Sequence, residues 1–208
     1  MGFMKSFLSA AFAGFAIGMG GVVYLSTGGR TVGAFLFAVG LLTICSCKLN
    51  LFTGMVCYLP ERGRRTAPEL ITVWLGNFVG AAAAAALISV TRWGKILYER
   101  ASEIAAVKLG DGFWSLLILG TFCGMLIFIA VDTFRRNEGS FFAIAVIFVC
   151  IPVFILSGFE HSIANMFFFV LARAPFWQLL GAVLIVTLGN SIGGLLIPVV
   201  RRFTGERE

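Results

Sequence analysis

The chain has 208 residues, of which 59% are hydrophobic and 12% charged, with a formal net charge of +6. A soluble domain carries about 25% charged residues. Half that fraction cannot cover a water-facing surface, so most of this surface must face lipid.

The elements follow in chain order. A first apolar span runs from about Phe7 to Leu25, and Gly28, Gly29 and Arg30 form a turn. The second apolar stretch, Val32 to Leu59, is too long and irregular for one plain helix, and Lys48, Asn50, Thr53 and Gly54 interrupt it at depth. A basic loop holds Arg62, Arg64 and Arg65, and a third span runs from Pro68 to about Val90. Pro68 suits a first helical turn, where its missing N–H costs nothing. Between Arg92 and Asp111, apolar Trp93, Ile96, Leu97, Ile104 and Val107 interleave with Lys95, Glu99, Arg100, Glu103 and Lys108. That pattern predicts an amphipathic helix on the membrane surface. A fourth span covers Phe113 to Phe134, followed by Arg135, Arg136 and Glu138. The fifth apolar stretch, Phe141 to Leu171, is interrupted by Pro152 and then by the run Ser157 to Ser162. A sixth span covers Pro175 to Val200 and ends on Arg201 and Arg202.

Six spans leave no room for a separate soluble domain, and they put both termini on one side. The termini side carries Lys5, Arg62, Arg64, Arg65, Arg135, Arg136, Arg201, Arg202 and Arg207. The other side has fewer basic residues, most of them in the amphipathic segment. Both termini are therefore expected in the cytoplasm of a cell-membrane protein. Basic residues placed this way do not call for nucleic acid as a partner. The five cysteines lie in or beside apolar runs, with no histidine pair to complete a metal site. They read as small buried thiols.

The two halves resemble each other. Leu75-Gly76-Asn77 with Gly80 in span three matches Leu188-Gly189-Asn190 with Gly193 in span six, 113 residues later. Thr53-Gly54-Met55 matches Ala164-Asn165-Met166 at a separation of 111. Gly14 and Gly18 match Gly120 and Gly124. Three spans per half is odd, so the second copy enters from the opposite side. The expected fold is an all-α membrane protein of six transmembrane helices, an inverted 3+3 repeat with helices 2 and 5 broken. The repeats cover about residues 5–92 and 112–202, joined by a connector at about 93–111, in one transmembrane domain.

A broken membrane helix leaves backbone N–H and C=O groups unpaired, which is tolerable only inside protein or beside a water-filled path. His161, the only histidine, lies at the second break. An ionisable group at that depth is by default a functional candidate, here a donor of a hydrogen bond or proton to a passing anion. Thr53 is placed to bond His161 if the two breaks meet. Glu160 would accept from freed N–H groups or pair with Lys48, and Asn165 would satisfy backbone or act directly. Phe52 and Phe159 flank the breaks as candidate constrictions.

The string Gly158-Phe159-Glu160-His161-Ser162-Ile163-Ala164-Asn165-Met166 resembles the signature of the formate/nitrite transporter family. Leu51-Phe52-Thr53-Gly54 resembles its second-helix break, and the Leu-Gly-Asn runs its third and sixth helices. The resemblance implies an aquaporin-like protomer in a homopentamer with one pore per protomer. It implies small monovalent anions of weak acids as substrates: formate, nitrite, hydrosulfide, lactate or fluoride. It makes His161 the central histidine, Thr53 its partner, Glu160 and Asn165 the supporting pair, and Phe52 and Phe159 the constrictions. No cofactor or metal is implied.

Two positions depart from the family. Its glutamate before Leu-Phe-Thr-Gly is Asn50 here, and its fourth-helix lysine has no counterpart in Leu119 to Gly124. Lys48 is expected to take over that lysine's role beside Glu160. The site set is then His161, Thr53, Lys48, Phe52 and Phe159, supported by Glu160, Asn165, Asn50, Asn77 and Asn190. An intramembrane enzyme would need a nucleophile–base pair or metal cluster, which one histidine and scattered cysteines do not supply. A structural scaffold would leave the paired breaks unexplained.

Overall fold

The computed structural model describes residues 2–63 and 67–205, and these form helices with no strand among them. Arg64, Arg65 and Arg207, counted above toward the basic face, lie outside the described residues. Among the described residues, four helices are long and apolar enough to cross a membrane: α1 (Phe3–Ser26), α5 (Ala67–Ser89), α7 (Phe113–Arg136) and α10 (Phe176–Thr204). The other apolar helices are shorter. α2 (Thr31–Ser46) is followed by α3 (Phe52–Met55), a 3₁₀ turn (Val56–Tyr58) and α4 (Leu59–Arg62). α8 (Phe141–Leu156) is followed by α9 (Ser162–Leu171). α6 (Gly94–Gly110) links α5 to α7.

Glycine lets the long helices approach to backbone contact. A Cβ on Gly14 would run into the backbone of Asn77, and one on Gly80 into the backbone of Ala11, so α1 and α5 lock face to face. In the other half a Cβ on Gly124 would strike Asn190, and one on Gly193 would strike Thr121, which locks α7 to α10 in the same way. Lipid tails offer no hydrophobic drive between helices, so this close packing is what associates them.

The two breaks are built alike. α2 ends in a Schellman-type turn, with Leu49 N–H donating to Ile44 C=O at 2.9 Å and Lys48 left-handed at φ 53°. α8 ends in the same turn, with Phe159 N–H donating to Phe154 C=O at 2.9 Å and Gly158 at φ 70°. Glycine is usual at that position, and the lysine holds it in the first half at a steric cost. Beyond each turn one asparagine brackets the chain. Asn77 Oδ1 accepts from Phe52 N–H at 2.9 Å, and its Nδ2 donates to Ala10 C=O and Asn50 C=O at 2.8 and 2.9 Å. Asn190 Oδ1 accepts from Ser162 N–H at 2.9 Å, and its Nδ2 donates to Gly120 C=O and Glu160 C=O at 2.8 and 2.7 Å. Both asparagines are fully buried. Each unpaired group in hydrocarbon would cost several kcal/mol, and three partners per amide side chain remove most of that cost.

These bonds set the register. Phe52 stands opposite Ser162, as Lys48 stands opposite Gly158, so the breaks correspond at a separation of 110 rather than the expected 111. Pro152 does not interrupt α8, which runs through it to Leu156. The lost N–H bond is tolerated because Pro152 lies on the buried face of α8, which packs against α2 and α7. α6 is not a plain surface helix either. Its Leu97, Ala101 and Ala105 are buried against the bundle, above all against α9. Cys57, Cys123 and Cys150 are buried as expected, whereas Cys45 is half-buried and Cys47 exposed, because α2 ends beside an open pocket.

Gly80 and Gly181 give a matched test. Gly80→Val pushes the α1 backbone away from α5 and should lower the apparent melting temperature in detergent or abolish monodisperse protein. Gly181→Ala, where an added Cβ meets nothing within 4 Å, should leave both unchanged.

Candidate functional site

The breaks bring His161 and Thr53 together across the core. Thr53 Oγ1 and His161 Nε2 lie 3.0 Å apart, and both residues are buried. His161 is also the N-cap of α9, its Nδ1 accepting from Ala164 N–H at 3.2 Å. That second bond fixes the tautomer. A neutral imidazole that accepts at Nδ1 carries its proton on Nε2. Nε2–H is therefore the donor presented to Thr53 Oγ1. Phe154 lies against the ring, with centroids 5.9 Å apart.

Beside the histidine, Glu160 is buried and fully engaged. Its Oε1 takes Lys108 Nζ at 2.6 Å and its Oε2 takes Asn165 Nδ2 at 2.6 Å. Asn165 thus supports the carboxylate rather than the backbone. Asn165 Oδ1 and Ser162 Oγ are buried atoms without a partner among the described residues. The expected partner of Glu160 was Lys48, and the structure corrects this. Lys48 turns outward to Glu138 at 2.9 Å, with 73% of its side chain exposed. The left-handed turn at the end of α2 aims it toward the α7–α8 loop, away from the second break. Lys108, read from the sequence only as part of an amphipathic connector, reaches in from the C-terminal turn of α6. Its side chain is 16% exposed. No local pattern marked it, because it meets a carboxylate 52 residues away.

Two pockets lie on either side of the Thr53–His161 contact. One, of about 370 Å³, is lined by Glu103, Lys108, Phe159, Glu160, His161 and Asn165 among others. Phe159 flanks it and stacks on Phe122 at 5.2 Å. The other, of about 440 Å³, is lined by Lys48, Asn50, Leu51, Gly54, Arg135 and Glu138 among others. Asn50 serves this side as a brace, its N–H donating to Ser9 Oγ at 3.0 Å and its Nδ2 to Ser6 Oγ at 3.3 Å. Phe52 is buried.

Below the first break, Asp132 is a buried hub that the sequence reading passed over. Its carboxylate accepts from Tyr58 Oη at 3.2 Å and from Arg136 and Arg201 at 2.9 Å each. An acid four residues before an arginine was a legible pair; the partners on Tyr58 and Arg201 were not. Among the described residues no group of three histidine, cysteine or acidic side chains is placed to hold a metal ion.

The formate/nitrite transporter family model matches residues 1–203. The formate channel FocA of Haemophilus influenzae is 27% identical over 95% of this chain and 86% of its own length. The nitrite transporter NirC of Escherichia coli is 31% identical over 90% of this chain and 78% of its own. Among solved structures, an FNT family ion channel superposes with a TM-score of 0.86 at 25% identity, covering 97% of this chain and 90% of that one. A pentameric formate channel with formate bound superposes with a TM-score of 0.83 at 23% identity, covering 98% and 97%. These relatives are channels and transporters, not enzymes. With a family model spanning nearly its whole length, this multi-pass membrane chain belongs to the formate/nitrite transporter family.

Proposed function

We propose that the protein conducts small monovalent anions of weak acids, formate, nitrite, hydrosulfide or a fluoride-like ion, through a pore that joins the two pockets at His161 and Thr53. The observation that carries this is the 3.0 Å contact between those residues, with a pocket on each side whose lining includes charged side chains. A bare anion in an apolar constriction would lose its hydration without replacement. A weak acid avoids this by crossing as the neutral species, its proton taken up on one side and released on the other. His161 contributes the Nε2–H that steadies the oxygen being protonated, with Thr53 as its relay. Phe52 and Phe159 narrow the path, and Lys108 holds Glu160 and offers a cation at one mouth. Lys48 rims the other mouth. Asn77, Asn190, Asn50, Glu160 and Asn165 hold the breaks in place.

The proposed architecture is six crossings in an inverted repeat, the broken pairs α2–α3 and α8–α9 making the second and fifth, in one transmembrane domain. Bonds at the bundle ends support it. α1 starts beside Asn50 and Glu69 through Ser6, and α10 ends beside Asp132 through Arg201. The end of α1 meets Arg100 of α6 at the opposite end. Trp74 Nε1 donates to Thr187 Oγ1 at 3.1 Å, and the separation of 113 makes these equivalent positions of the two halves. Equivalent positions can touch only near the axis that relates them. The basic residues Arg135, Arg136, Arg201 and Arg202 share the termini end, which supports both termini in the cytoplasm of an inner or plasma membrane. Similarity to a pentameric formate channel supports a homopentamer in lipid.

Three experiments test this reading. In sealed vesicles, His161→Phe should abolish formate and nitrite flux or strip it of pH dependence while pentamers persist on native mass analysis. Unchanged flux with an unchanged pH profile would remove His161 from the mechanism. Lys108→Met should lower flux at least tenfold, since it strands the Glu160 carboxylate. Lys48→Gly, which suits the left-handed backbone, should cost far less, and the reverse ranking would return the anion-attracting role to Lys48. For orientation, in a background lacking Cys47, Asn137→Cys should resist an impermeant thiol reagent in intact cells and Ser102→Cys should react. The opposite labelling would invert the topology.

A further inference from the structure

The two pockets differ in charge. The pocket at the termini end is lined by Lys48, Glu138 and Arg135. Lys48 and Glu138 pair at 2.9 Å, which leaves the guanidinium of Arg135, 4.2 Å over the Tyr58 ring, as the uncompensated charge. The pocket at the other end is lined by Lys108, Glu160 and Glu103. Lys108 and Glu160 pair at 2.6 Å, which leaves Glu103. Glu103 is exposed, and among the described residues its carboxylate makes no ion pair or hydrogen bond. Among the lining residues, each pocket thus has one closed ion pair and one remaining charge, positive at the termini end and negative at the other, where Arg100, one turn before Glu103 on α6, has its guanidinium on the Leu25 and Ser26 carbonyls.

An acid at the mouth of an anion pore has no structural task here. Glu103 caps no helix and binds no partner among the described residues, and it stands one turn and a half before Lys108 on α6. What it does is set a potential. Like charge lowers the local concentration of an anion before it reaches the constriction, and the low-dielectric walls of a pocket focus that field. On the proposed topology this mouth faces outward. We propose that Glu103 is a rate- and specificity-determining residue of the pore: it repels anions arriving from outside, while Arg135 collects them from the cytoplasmic mouth. The inference rests on the anion-conduction reading above.

At about 7 Å in water-like dielectric, one charge changes a monovalent ion's local concentration about threefold. The probe is formate or nitrite entering right-side-out membrane vesicles at low ionic strength. Glu103→Gln should lower the half-saturating concentration about threefold, and Glu103→Lys further, with pentamers intact. Raising an impermeant salt to about 1 M, where the Debye length is about 3 Å, should erase the differences between variants. In inverted vesicles Arg135→Gln should raise the half-saturating concentration. Wild-type half-saturation in both Glu103 variants at low salt would overturn the inference, and so would an effect that survives high salt, which would mark a packing change. Wild-type protein that conducts neither anion would overturn the anion-conduction reading, and this inference with it.

Discussion

Everything in this structure depends on closing the backbone where two helices stop in the middle of the bundle. Five residues between α2 and α3 and five between α8 and α9 are non-helical, and hydrocarbon offers their N–H and C=O groups no partner. The Schellman turns close the carbonyl ends. Asn77 and Asn190 close the other ends, each spending one acceptor and both donors on backbone. The glycines follow from this. For an asparagine side chain to reach across to a broken strand of backbone, α5 and α10 must lie against α1 and α7 at backbone distance, which is where Gly14, Gly80, Gly124 and Gly193 sit. The glycine contacts and the asparagine brackets are one device, repeated.

The same closure decides what His161 can offer. A histidine at a helix N-terminus caps through one nitrogen, so the other points away from the helix with a proton on it. Thr53, at the first N-terminus after the opposite break, meets that proton. Neither break alone makes a site. The first supplies a hydroxyl, the second an oriented N–H, and the two meet at 3.0 Å. The supporting Glu160 then needs its own closure. A buried carboxylate without a cation would be prohibitive, and its two oxygens take Lys108 and Asn165.

Family, membrane class and the paired breaks were legible in the sequence because each is written in local runs: apolar stretches, Leu-Gly-Asn repeats, and the string around His161. Thr53 opposite His161 was legible because it followed from setting the breaks face to face. The partner of Glu160 was not. Lys48 was the nearer lysine by motif, lying just ahead of the first break, but its position is the left-handed residue of a helix-ending turn, and such a turn sends its side chain out of the bundle. Lys108 belongs to a helix whose charge pattern reads as amphipathic, and only the packing of Leu97, Ala101 and Ala105 turns the last charged turn of that helix inward. Register failed by one residue for a similar reason. Matching letters aligned Gly54 with Asn165, whereas hydrogen bonds align Phe52 with Ser162.

That one-residue shift matters for how the halves divide their work. Aligned by bonds, Lys48 stands where the second half has Gly158, Asn50 where it has Glu160, and Leu51 where it has His161. Glu160 and His161 therefore both come from the second half, their lysine from the α6 connector, and the first half presents an apolar Leu51 and a neutral Asn50 in their places. A pore with both sets charged would hold two buried carboxylates and two imidazoles within a few residues of each other, each demanding its own counter-charge. With one set neutral, a single lysine suffices at the centre, and the lysine of the first half is left free to turn to the surface and pair with Glu138. The two breaks thus share their backbone bonding and differ in side-chain charge, with Asn50 and Leu51 standing where the second break has an acid and a histidine.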